Sequence, residues 1–137
     1  MRGRLRTRRL RGLAGTGFLA TLAAMLATTL VAASARAIGV DFEVGNGGET
    51  IPLSGFAVVT GFFSVAGIVI AAALLHWSAR PAERFVWTAV SLTAISLVPP
   101  FLAAANTATT TALVGLHLVA ATVMIPALAR SLRTRTD

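Results

Sequence analysis

Four long apolar stretches, at residues 12–35, 51–77, 81–105 and 107–129, alternate with short polar segments that hold almost all of the charge. No Asp, Glu or Arg interrupts the first, second or fourth stretch. In the third, Glu83 and Arg84 stand in the opening turn, within reach of headgroups. A helix rises about 1.5 Å per residue, and about 20 residues cross the roughly 30 Å of hydrocarbon in a bilayer, so each stretch is long enough to span. The runs are continuous and lack the alternation of a barrel strand. Lipid offers no partner to an open backbone, so each is expected as a helix. A charge at mid-bilayer costs roughly 2.5–3.5 kcal/mol, which accounts for the exclusion. The pattern predicts an all-α membrane protein, a four-transmembrane-helix bundle over residues 12–129. A basic tail at 1–11 precedes it and a short tail at 130–137 follows.

Composition supports this reading. The hydrophobic fraction is 55% and the charged fraction 12%, against about 25% charged in a soluble domain, so there are too few polar side chains to cover a water-facing exterior. A net charge of +7 raises nucleic-acid binding as an alternative, but the placement of the arginines argues against it. Arg2, Arg4, Arg6, Arg8, Arg9 and Arg11 precede the first span, and Arg80 and Arg84 sit between the second and third. Arg130, Arg133 and Arg135 follow the fourth. The other two connections hold Arg36 against Asp41, Glu43 and Glu49, and an uncharged turn at Asn106. This alternation is the positive-inside pattern and predicts both termini on the cytoplasmic side. Trp77 and Trp87 flank the arginine-containing loop as an aromatic belt would. Rich use of alanine, arginine, glycine and valine, with no lysine, suggests a GC-rich bacterial genome, hence a bacterial cytoplasmic membrane. Cysteine is absent, which removes disulfides, thiolate metal sites and cysteine nucleophiles.

The first stretch has two readings. A basic start, an apolar run and Ala33-Ser34-Ala35 also describe a cleavable signal peptide, with a twin-arginine flavour at Thr7-Arg8-Arg9. The run exceeds the roughly 7–15 residues of a signal core, and it carries a packing pattern. Gly12, Thr16, Ala20, Ala24, Thr28 and Ala32 recur at every fourth residue, while Phe18, Leu22, Leu26 and Leu30 form a second row on roughly the opposite face. Small faces let helix backbones approach and bulky faces suit lipid, so a retained helix is expected.

In the second span, Ala57, Gly61, Ser64, Gly67 and Ala71 share a side and offer a partner for the small face of the first. The third is more polar, with Thr88, Ser91, Thr93 and Ser96 able to bond across helices or back to their own carbonyls. Pro99-Pro100 and Pro126 each predict a kink or a helix end. In the longest loop, Asp41 and Glu43 precede an Asn46-Gly47 turn signal and read as the edge of a short hairpin. Thr50 and Pro52 read as the cap and first turn of the second span. The loop carboxylates lack the spacing of a calcium site. They are expected as a solvated acidic loop.

His117 is the one ionisable group deep in an apolar stretch. Such groups usually face a bundle interior or cavity. A proton relay or ligand contact is the functional reading, and a neutral imidazole bonded to a neighbouring helix the structural one. Paired buried carboxylates, metal-ligand spacings, Gly-x-Ser-x-Gly and phosphate loops are all missing, so neither enzymatic activity nor a cofactor is expected. Small multidrug transporters use a glutamate in the first span, where this chain has none. The basic start, Ser96-Leu97-Val98-Pro99-Pro100, and Leu116-His117-Leu118-Val119-Ala120-Ala121 running on to Ile125-Pro126 together resemble an uncharacterised family of small actinobacterial four-span membrane proteins. The resemblance implies no activity and draws notice to Pro99, Pro100, His117 and Pro126. The functional expectation is a non-catalytic accessory, scaffold or assembly component whose partners are the bilayer and a second copy or another membrane protein. The alternatives are a small oligomeric transporter or channel using His117 and, last, a membrane enzyme acting on lipid or quinone.

Overall fold

The computed structural model describes residues 1–137. Its elements are α1 (Arg2–Ala37), the two-residue strands β1 (Glu43–Val44) and β2 (Glu49–Thr50), then α2 (Leu53–Trp77), α3 (Pro81–Ser96), α4 (Val98–Ala103) and α5 (Thr107–Thr136). Four helical segments, counting α3 and α4 together as Pro81–Ala103, are long and apolar enough to cross a membrane. The helix α1 packs against α2 and α5, and α3 against α5 and α2, so the four segments close into a ring.

The small face of α1 is what lets it pack so closely. Ala20, Ala24, Thr28 and Ala32 are buried and Gly12 and Thr16 half-buried, while Phe18, Leu22, Leu26 and Leu30 on the other face are 48–61% exposed. Gly17, outside the expected stripe, marks one close approach, for a Cβ there would lie 2.6 Å from Cγ1 of Ile68 on α2. The matching face of α2 divides between two partners. Gly61 lies under Met25 of α1, whereas the nearest neighbour of Gly67 is Leu128 of α5. One apolar cluster joins Leu13, Ala20, Ala24, Ala71, Phe85, Met124, Leu128, Ala129 and Leu132. A second, nearer the acidic loop, joins Ala32, Phe42, Phe56, Leu113 and Leu116. Only 22 of 137 residues are buried, and Phe62, Phe63, Val65 and Val69 are among the many large apolar side chains left facing outward. A monomer in water does not tolerate so extensive an apolar exterior.

Several boundaries differ from the sequence expectation. The basic segment continues the helix of the first apolar stretch, with α1 helical from Arg2. Arginine is a good helix former, and extending an existing helix adds a hydrogen bond for each residue fixed. By the same logic α5 runs on through Arg130, Arg133 and Arg135 to Thr136. Pro99 and Pro100 do break the third span. They withhold amide hydrogens from two successive rungs, and Leu97 between α3 and α4 stays right-handed (φ −76°, ψ −16°), so the chain bends without unravelling. Pro126 removes one rung only, and it neither ends nor divides α5. Pro52, not Thr50, occupies the cap position of α2, and Thr50 pairs instead with Glu43 in the hairpin.

Candidate functional site

Chemistry-bearing side chains gather at the two ends of the bundle, with His117 between. At the acidic end the chain leaves α1 through Gly39 (φ 103°) and then places Phe42 in the left-handed region at φ 55°. A bulky residue adopts that conformation at a cost of order 1–3 kcal/mol, and it must be over-determined by its surroundings. Here Phe42 is fully buried and tilted against Phe56 at 4.8 Å, beneath the guanidinium of Arg36 at 5.9 Å. Arg36 also donates to the Ile51 carbonyl at 2.6 Å, tying the end of α1 to the approach to α2.

The residue before Phe42 holds the other half of the bundle. Oδ1 of Asp41 accepts from the Glu43 amide (3.2 Å), Nδ2 of Asn106 (3.3 Å) and Oγ1 of Thr109 (3.1 Å). Asn106 in turn caps α5 by accepting from the Thr109 amide at 2.8 Å. The Glu43 amide, then the Asn106 and Thr109 side chains, hold the Asp41 carboxyl below its usual 3.8. Backbone bonds add to the closure, with the Gly45 amide donating to Ala103 at 2.8 Å and the Ala105 amide to Glu43 at 3.0 Å. The hairpin is therefore a clasp that joins the ends of α1 and α4 to the starts of α2 and α5. Asn106 immediately before the fourth apolar stretch is a capping signal legible in the sequence. The burial of Phe42 and the long-range role of Asp41 are not.

His117 is half-buried on α5, one turn from the buried Leu113 and beside Leu116. Its Nδ1 lies 2.8 Å from the carbonyl of Leu113 in its own helix. A carbonyl only accepts, so Nδ1 carries a proton, and Nε2 has no protein partner. The bond to a neighbouring helix expected from the sequence is not made. Two of the α3 hydroxyls bond to their own backbone, Thr93 to Ala89 (2.8 Å) and Ser96 to Thr93 (2.7 Å). Between helices, Thr28 and Thr60 pair at 3.0 Å. Of the prolines, Pro100 is buried, while Pro99 and Pro126 face outward, so they do not converge with His117 on one pocket. The structure also assembles no group of three or more His, Asp and Glu side chains that could hold a metal ion.

At the opposite end, arginines of α1 and α5 gather around the end of α2 and the loop that follows it. Arg6 touches Nε2 of His76, whose ring is tilted 51° against that of Trp77 at 4.8 Å. Arg135 lies over Gly12, its Nε donating to Ser131 Oγ at 3.0 Å. The single ion pair is Arg80 with Glu83, at 3.6 Å between exposed side chains.

Residues 8–134 match a family of unknown function (DUF6069), and the chain belongs to that family. No curated protein and no solved structure matches it.

Proposed function

For this member of the DUF6069 family we propose a multi-pass protein of the bacterial cytoplasmic membrane, with both termini cytoplasmic. It acts as a non-catalytic accessory, scaffold or assembly component. The observation that carries the reading is how the polar groups within the bundle are satisfied. Thr21, Thr28, Thr29, Thr93, Ser96 and Thr122 bond to carbonyls of their own helices, and no buried side-chain donor or acceptor is left unpaired. Such a bundle gives a solute no continuous polar route through one chain. No hydroxyl hydrogen-bonds to His117. The packed small face of α1 supports retention of the first helix, since a discarded segment has no use for it.

Orientation rests on the arginines that gather at one end, where Glu83 and Asp137 are the only acids, while Asp41, Glu43 and Glu49 face Arg36 at the other. A second reading, a small oligomeric transporter or channel, is favoured by the free Nε2 of His117. Crosslinking in native membranes followed by mild extraction and mass spectrometry separates the two. A stable hetero-partner is expected. A homo-oligomer that conducts ions or solutes in liposomes, with a pH profile altered in His117→Gln, would replace the first reading with the second.

A further inference from the structure

The two rows of α1 that face away from the bundle lie in register with one another. At about 100° of rotation per residue, Arg4, Arg8 and Arg11 fall within one narrow arc of the helix. The same arc continues along α1 through Phe18, Leu22 and Leu26. All six side chains are exposed. Arg2, Arg6 and Arg9 lie on the other side, above Leu13, Ala20 and Ala24 of the core, and Arg6 is occupied by His76. Half of a bilayer's hydrocarbon, about 15 Å, corresponds to about ten residues of helix, which is the separation of Arg8 and Phe18.

Arg4, Arg8 and Arg11 line a shallow cavity with Gly3 and Thr7, and no hydrophobic residue takes part. Nothing lies within 4 Å of the position a Gly3 side chain would take, and the Thr7 hydroxyl is spent on the Gly3 carbonyl at 2.9 Å. None of the three guanidiniums has a carboxylate partner. Glu83, one of the two acids at this end, pairs with Arg80. Guanidinium groups bind phosphate through paired N–H donors. We propose that this face of α1 is a site for one anionic phospholipid, with its phosphodiester among Arg4, Arg8 and Arg11 and an acyl chain along Phe18 and Leu22. A zwitterionic lipid carries its own cation and is the poorer ligand. The site rests on the membrane reading above and on neither functional alternative.

The test uses the full chain in nanodiscs of phosphatidylcholine with graded phosphatidylglycerol, counting retained lipid by native mass spectrometry. Two variants lose the same charge from opposite faces: R4Q/R8Q/R11Q and R2Q/R6Q/R9Q. The first is expected to lower the preference for phosphatidylglycerol by at least about tenfold, which is less than three ideal contacts would supply. The second is expected to lower it by less than about threefold, because Arg6 is held by His76 and screened charge on the other face does not retain a bound lipid. Equal losses, or no loss in the first, overturn the site. In the wild-type protein, phosphatidylglycerol with a photoreactive headgroup is expected to mark α1 before Phe18. Adducts confined to α2–α5 overturn the site even if a variant fails to fold. Displacement of the lipid by inorganic phosphate would point to a soluble anion and overturn it too. Incorporation into discs without lipid preference defeats this proposal alone, whereas failure to incorporate defeats the membrane reading and the site with it.

Discussion

Gly15 and Gly17 stand two residues apart on α1 and should respond in opposite ways to alanine. A Cβ at Gly15 meets nothing within 4 Å. At Gly17 it would lie 2.6 Å from Cγ1 and 2.8 Å from Cδ1 of Ile68. The intrinsic gain from replacing a helical glycine, about 0.5–1 kcal/mol, is common to both sites and cancels in their difference. What remains is the overpacking at Ile68, a β-branched side chain with little rotamer freedom, and forced core contacts of this kind cost about 1–3 kcal/mol. Gly15→Ala is therefore expected to be neutral or stabilising, and Gly17→Ala less stable than Gly15→Ala by about 1–3 kcal/mol. Titration with SDS from a mild detergent, followed by far-ultraviolet circular dichroism, reads the difference. Trimming the partner with Ile68→Ala should shrink it to within about 0.5 kcal/mol, because the clash and its relief are one interaction. If the two glycine variants are equally stable, or Gly15→Ala is the weaker, the close approach of α1 to α2 at Ile68 is wrong.

The clasp should loosen in acid. The Asp41 carboxyl titrates below 3.8 in the folded chain, so its contribution is present above that value and is lost as pH falls through the lowered folded pKa. Protection from hydrogen exchange at the amides of Gly45 and Ala105, taken relative to the intrinsic rate at each pH, is expected to fall over that range, and Asp41→Asn should show little protection already at neutral pH. An unchanged exchange rate in the variant would remove Asp41 from its bridging role. Thr28→Val and Thr60→Val should each cost about 0.6 kcal/mol, the average for an interhelical hydrogen bond in a membrane, with the double variant costing less than their sum; full additivity in SDS titration would mean the hydroxyls do not pair. For topology, cysteines at Gly47 and Thr107, both exposed and at the acidic end, should react with an impermeant maleimide from outside the cell, and one at Ala79 should not. Labelling of Ala79→Cys first would invert the orientation.

The sequence by itself determined the number of apolar helices, their approximate limits and the two faces of α1. These follow from local quantities: run length against bilayer thickness, the exclusion of charge, and a four-residue recurrence of small side chains that one helix must present on one side. It also marked the hairpin through Asn46-Gly47 and the break at Pro99-Pro100, since turn geometry and a missing amide act within a few residues. The tertiary structure decided what depends on residues far apart in the chain. Gly61 faces α1 while Gly67, on the same helix, faces Leu128 of α5. The ring of His117 bonds to its own backbone, whereas sequence spacing could only place it on a face. Pro126 leaves its helix unbroken, because a single missing rung does not by itself end a helix that packs well on both sides of it. Asp41 and Phe42, read from the sequence as part of a solvated loop, close the acidic end because folding brings Asn106, Thr109 and Phe56 to them. Periodicity reports which way a side chain points along one element. Which partner meets it is fixed only when the helices close on one another.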